Sequence, residues 1–185
     1  SGNGNLVTIL RETLARSDVE NRGDKKQDAK DKHSGKAFAD GKTKTKAFVQ
    51  NVHHFRDHHI GNQRKPHENV IIFDEAQRAW TEERTTRWMK QNGKQWNNQS
   101  EPEFLLSVAN RKAWCTVICL VGGGQEINTG EAGLPEWFKA LRETRHKRRG
   151  REIRTFSNWK IHLSPEINNE EYTRGTKMSE LLYQL

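Results

Sequence analysis

The sequence predicts an α/β fold with a mostly parallel sheet flanked by helices, and three observations predict it. Val70 to Phe73 and Trp114 to Val121 are short, unbroken apolar runs, the pattern of strands covered on both faces. Around them lie segments with apolar residues at helical spacing, so that the chain reads strand, helix, strand, helix, strand. Both runs end abruptly in polar or glycine residues: Asp74-Glu75 after the first, Gly122-Gly123-Gly124-Gln125-Glu126 after the second. These groups then fall at the carboxyl edge of the sheet, where open α/β sheets bind ligands.

Composition narrows the class. At 185 residues the chain suits a single domain, 1–185, with room for a real core. It is 32% apolar and 30% charged, which points to a compact centre with polar excursions at 17–46 and in the tail, 165–185. No apolar run is long enough to span a bilayer, and no signal peptide is visible. Cys115 and Cys119 lie on one face of a strand about 13 Å apart, too far for a disulfide, and read as buried thiols of a reducing, cytoplasmic protein. The net charge of +8 is concentrated: residues 21–50 hold nine Lys/Arg against four Asp, and residues 139–154 hold eight against two Glu. Such patches suit a polyanion, of which nucleic acid is the commonest.

Taken in order, Leu6, Ile9, Leu10 and Leu14 predict an amphipathic helix over 5–16, after a Gly/Asn turn. Residues 17–46 are polar and basic. Gly41-Lys42-Thr43 is not a phosphate loop, because the required earlier glycine falls on Lys36 and no apolar strand precedes it. A helix is expected over 47–59, with Phe48, Val49, Val52 and Phe55 inward; its His54 and His58 have metal-ligand spacing, but nothing completes a site. Residues 60–68 form a loop. Helices are expected over 78–90, with Trp80 and Trp88 packing, over 103–111, and over 134–141, where Pro135 suits the first turn. Residues 158–164 alternate and read as a strand ended by Pro165, and a short helix is expected at 179–185.

The chemistry is concentrated at the two strand ends. An acid such as Asp74 can hold magnesium through oxygen or water. Its neighbour Glu75 can orient or deprotonate an attacking water. That pairing follows the logic of the Walker B element of nucleotide hydrolases. Gly123 and Gly124 let the backbone come close to a ligand, and Gln125 adds an amide that both donates and accepts.

Val-Ile-Ile-Phe-Asp-Glu-Ala-Gln-Arg-Ala-Trp (70–80), Ser-Glu-Pro-Glu-Phe-Leu-Leu (100–106) and Leu-Val-Gly-Gly-Gly-Gln-Glu-Ile-Asn-Thr-Gly-Glu-Ala-Gly-Leu (120–134) together resemble the Schlafen-like DNA/RNA helicase domain, a branch of the superfamily 1 helicases. The opening Ser-Gly-Asn-Gly and residues 46–56 resemble it as well. The resemblance implies a RecA-like P-loop NTPase core that uses ATP and Mg2+. It implies Asp74 on the metal, Glu75 on the hydrolytic water, and Gln125 as the γ-phosphate sensor. Gln77 and Arg78 would lie beside the surface that couples nucleotide to nucleic acid, and Asn3 near single-stranded nucleic acid. The first strand and its Gly-Lys-Thr/Ser loop are not among these residues, so the chain is expected to be a fragment or truncation that hydrolyses ATP poorly without a partner segment.

The leading expectation is therefore part of an ATP-dependent DNA/RNA helicase-like motor, with Arg145, Lys147, Arg148 and Arg149 as further nucleic-acid contacts. A non-catalytic basic nucleic-acid-binding module is the first alternative. A magnesium-dependent nuclease using Asp74 and Glu75 is the second, weakened because no further acid completes a two-metal site.

Overall fold

The structure, a computed structural model, describes residues 8–14, 16–17, 49–122 and 129–168. The chain divides into two compact units, Ser1–His58 and His59–Leu185. In the first, residues 8–14 and 16–17 are helical, and the Arg11 guanidinium donates to the Val49 carbonyl. Helix α1 (Val52–His59) starts later than the apolar spacing suggests. Asn51 explains the late start: its side-chain oxygen accepts the His53 N–H at 3.0 Å, an N-cap that fixes the first turn there. The buried residues of α1 are Arg56 and His59, whereas Val52 and Phe55 are only half-buried; Phe48 lies outside the described residues. The apolar side chains thus do not define its inner face. His54 and His58 are exposed.

The second unit holds the sheet. Strand β1 (Val70–Phe73) pairs in parallel with β2 (Thr116–Cys119), Val70 opposite Thr116 and Phe73 opposite Cys119. Between them the chain forms a 3₁₀ turn (Ala76–Arg78) and helices α2 (Glu82–Gln91) and α3 (Glu101–Ala109). Both helices begin where a hydroxyl caps them: Thr81 accepts from the Arg84 N–H and Ser100 from the Glu103 N–H. Their boundaries therefore differ from those expected at 78 and 103. Helix α4 (Gly133–Glu143) buries Leu134, Trp137, Phe138 and Ala140 at helical spacing and packs on α3. Trp137 also meets Phe73, ring centroids 5.5 Å apart, so that α4 lies under β1. Leu105, Val108, Met89 and Phe104 complete the core.

This arrangement is mixed α/β with a parallel pair. It also corrects the expectation of strands covered on both faces. Ile71 and Phe73 are buried, but Val70 and Ile72 on the other face are 48% and 59% exposed. Strand β2 is shorter than the apolar run, with Trp114 63% exposed before it. Cys115 and Cys119 are free and half-buried rather than buried. Burial still pushes the Cys119 thiol up to about 12.

Two further elements differ from expectation. Residues 159–164 form no strand, although the alternation survives as half-buried Trp159, Ile161 and Leu163 between exposed Lys160, His162 and Ser164. An alternating pattern specifies a face, not a partner. A groove of about 1110 Å³ lies between this segment and β2, floored by Leu134, Trp137 and Phe138. The basic stretch after α4, for which no regular structure is expected, is an antiparallel hairpin of β3 (Arg145–Arg148) and β4 (Arg151–Arg154). Its two-residue loop puts Arg149 and Gly150 at φ 50° and 77°, the left-handed pair that suits the twist of a tight hairpin. A 3₁₀ turn, Pro165–Asn168, follows. The helices expected at 5–16 and 179–185 lie partly and wholly outside the described residues.

Candidate functional site at the carboxyl ends of the parallel strands

The ladder between β1 and β2 continues one step past the strands and there extrudes two residues. The Leu120 N–H donates to the Phe73 carbonyl at 2.9 Å, and the Ala76 N–H donates to the Leu120 carbonyl at 2.9 Å. Phe73 and Ala76 are thus pinned to one residue of the opposite segment, and Asp74 and Glu75 form the turn between them. Asp74 is exposed and Glu75 half-buried. Glu75 has left-handed backbone, φ 53° and ψ 44°, which a glutamate adopts only against a steric cost.

The Glu75 carboxylate is held in place. The buried Gln77 amide donates through Nε2 to Glu75 Oε2 at 2.5 Å, and the Gly122 N–H donates to Gln77 Oε1 at 3.4 Å. Both ends of one side-chain amide are used, which fixes its orientation. Gly122 is needed for the approach: a Cβ there would stand 3.2 Å from Glu75 Oε2 and 3.5 Å from Gln77 Nε2.

The residues that follow are anchored one by one. Trp137 Nε1 donates to the Ala76 carbonyl at 2.8 Å. Arg78 Nε pairs with Glu131 Oε1 at 3.2 Å, and the Glu131 side chain is only 3% exposed. The Ala132 N–H donates to the Ala79 carbonyl at 2.6 Å, and the Thr81 N–H to the Gly130 carbonyl at 3.0 Å. Trp80 gives its N–H to Glu101 Oε2 and accepts the Glu101 N–H, both at 3.0 Å. The loop that leaves β2 is therefore tied to this stretch at both stems: Leu120 and Gly122 before residues 123–128, Gly130 to Ala132 after them.

Of the residues the sequence singles out, Asp74, Glu75 and Gln77 come together at the end of β1, joined by Gly122. Arg78 lies next to them, and its guanidinium is engaged by Glu131. Asn3, Gly123, Gly124 and Gln125 lie outside the described residues. Arg145, Lys147 and Arg149 are exposed on the separate β3–β4 hairpin, with Arg148 in its first strand. Sequence reasoning missed Glu101, Glu131 and Trp137 as supports of the turn. Glu131 had a signal, an acid inside a glycine-rich loop with no other task; Glu101 and Trp137 read simply as helix residues.

Such a turn can do two things chemically. Asp74, for which the described residues provide no hydrogen bond or ion pair, offers hard oxygens toward solvent. Glu75 offers a positioned, half-buried carboxylate with one oxygen engaged by the Gln77 amide. Among the described residues no group of three His, Cys, Asp or Glu side chains is close enough to enclose a metal, so a cation here would keep most of its own waters. No described helix is long and apolar enough to cross a membrane.

The family model described as Schlafen group 3, DNA/RNA helicase domain matches residues 1–167 of the 185. No curated protein and no solved structure matches the chain.

Proposed function

The chain belongs to the Schlafen group 3 DNA/RNA helicase domain family, and on that footing we propose that Asp74 to Trp80 is the nucleotide-hydrolysing and coupling segment of an ATP-dependent nucleic-acid motor. The observation that carries this reading is the Glu75–Gln77–Gly122 chain of hydrogen bonds. It connects the carboxylate best placed to orient a water with the first glycine of the loop after β2. In this reading Glu75 orients the hydrolytic water and takes its proton. Asp74 would hold a magnesium ion, which would supply positive charge to neutralise the phosphates. Gln77 keeps the Glu75 carboxylate on station. The stems on either side of residues 123–128 are bonded to Ala76–Thr81, and in this reading they couple that segment to the nucleotide, with Gln125 as the nucleotide-sensing amide.

Gly41-Lys42-Thr43 lacks the earlier glycine of a phosphate loop, the element that gives a triphosphate its main positioning contacts. The test is ATP hydrolysis measured with and without single-stranded DNA. Glu75→Gln is expected to lower kcat by about 100-fold or more while nucleotide binding persists. Gln77→Ala is expected to cost less, because it loosens the carboxylate without removing it. Hydrolysis that survives Glu75→Gln unchanged overturns the reading.

A further inference from the structure

The β3–β4 hairpin is built in a way that its own stability does not explain. Residues 145–154 carry five arginines and one lysine against a single acid, Glu152. The register sets Arg145 opposite Arg154 and Arg148 opposite Arg151, so two of its four cross-strand pairs are like-charged. Directly opposed like charges on adjacent strands are destabilising. Glu152 stands opposite Lys147 but does not close on it, and among the described residues Arg145, Lys147, Arg149 and Arg151 form no ion pair. The one large apolar residue of the ribbon, Ile153, is 37% exposed. An isolated two-stranded hairpin is marginal in water. This one is held at its base, where the Thr155 N–H donates to the Thr144 carbonyl at 2.9 Å and Phe156 is buried against Trp159.

The hairpin is thus anchored at its base and exposes Lys147, Arg149 and Arg151 with no ion pair among the described residues, while Arg145 donates to the Arg142 carbonyl. We propose that it is a grip for the phosphate backbone of nucleic acid, with Arg149 and Arg151 at its tip as leading contacts. An opposing row of phosphates removes the repulsion that the register creates, and guanidinium forks match phosphate oxygens two at a time. Contacts of this kind position a nucleic acid without reading its bases. The proposal rests on the nucleic-acid side of the function above and is independent of hydrolysis.

The experiment is a salt titration of binding to a fluorescent single-stranded DNA 20-mer and to RNA of the same sequence, without nucleotide. In Arg149→Gln/Arg151→Gln, affinity is expected to fall about tenfold near 0.1 M salt, alike for different sequences. The slope of log K against log salt should shrink by about 1.4, roughly 0.7 for each lost phosphate contact. Arg149→Lys/Arg151→Lys should keep most of the slope, which separates lost charge from a lost fold. Arg87→Gln/Lys90→Gln, which removes equal charge from exposed positions of α2, should leave the slope unchanged.

Equal losses in the ribbon and α2 variants would mean that only net charge matters, and would overturn the proposal. Wild-type binding with an unaltered ribbon variant would overturn it while leaving the nucleic-acid reading intact. No binding of either oligonucleotide by the wild type would overturn both. Ribbon-dependent binding to vesicles containing phosphatidylserine, tighter than to either oligonucleotide, would overturn it in favour of a membrane surface.

Discussion

The turn after β1 and the β3–β4 hairpin are both dense in charge, and they handle it in opposite ways. In the turn, buried carboxylates are matched to named donors: Glu101 to the Trp80 N–H, Glu131 to Arg78. Only Asp74 and part of Glu75 face outward. In the hairpin, arginine stands opposite arginine, and among the described residues Arg145 and Arg151 form no ion pair. The first region spends its polar groups inward to hold a geometry. The second leaves them for something outside the chain. Buried, paired charge is evidence of positioning, and exposed, opposed charge is evidence of an external partner.

That contrast can be broken by mutation. The largest effect is expected from Glu101→Ala, which leaves the Trp80 N–H without its acceptor in a buried setting. It should cost about 2–3 kcal/mol in urea unfolding, whereas Arg149→Ala at the hairpin tip should stay within about 0.5 kcal/mol. Similar costs at both sites would erase the distinction. Gly122→Ala comes next. The new methyl meets the Glu75 carboxylate at 3.2 Å and must displace it or Gln77, so a loss of about 1–2 kcal/mol is expected in thermal unfolding. No loss would mean that the amide bridge is slack.

On the hairpin side, Arg145→Glu converts a like-charged pair into an opposite-charged one and should stabilise the fold by about 0.2–1 kcal/mol. A destabilised variant would show that the facing arginines do not strain the ribbon. The smallest effect concerns Glu103 on α3, whose carboxyl is raised above the usual range, chiefly by burial. A folded state that holds its proton more tightly than the unfolded state loses stability as pH rises through the interval between the two values. Glu103→Gln should therefore raise the melting midpoint by about 1–2 °C at neutral pH, after allowance for its half-exposed position. Below about pH 4 it should change nothing.

Much of this was legible in the residues. The parallel pair, the order of helices and the acids at a strand end all follow from apolar runs and their abrupt ends. Other features depend on distant partners. The resemblance places Gln77 beside the coupling surface, but its hold on Glu75 becomes visible only when Gly122, 45 positions on, gives its N–H to the amide. The half-open sheet was hidden because a run such as Val-Ile-Ile-Phe looks the same whether one face is covered or two. The hairpin lacks the alternating apolar residues that announce strands; Arg149-Gly150 was its sole local cue, a glycine suited to the second left-handed position of a tight turn. Helix starts moved to Asn51, Thr81 and Ser100 because capping oxygens, more than apolar spacing, decide where a first turn begins.

The backbone of Glu75 carries one more consequence. A residue with a β-carbon at φ 53° costs roughly 1–2 kcal/mol relative to ordinary backbone, and glycine or asparagine would turn there more easily. Heat resistance and chemistry therefore pull this position in opposite directions. A laboratory selection for thermal tolerance alone would be expected to discard the glutamate early, trading the carboxylate for a relaxed turn. Variants recovered in such a selection would reveal what the chain sacrifices in comfort to keep an acid at the end of its first strand.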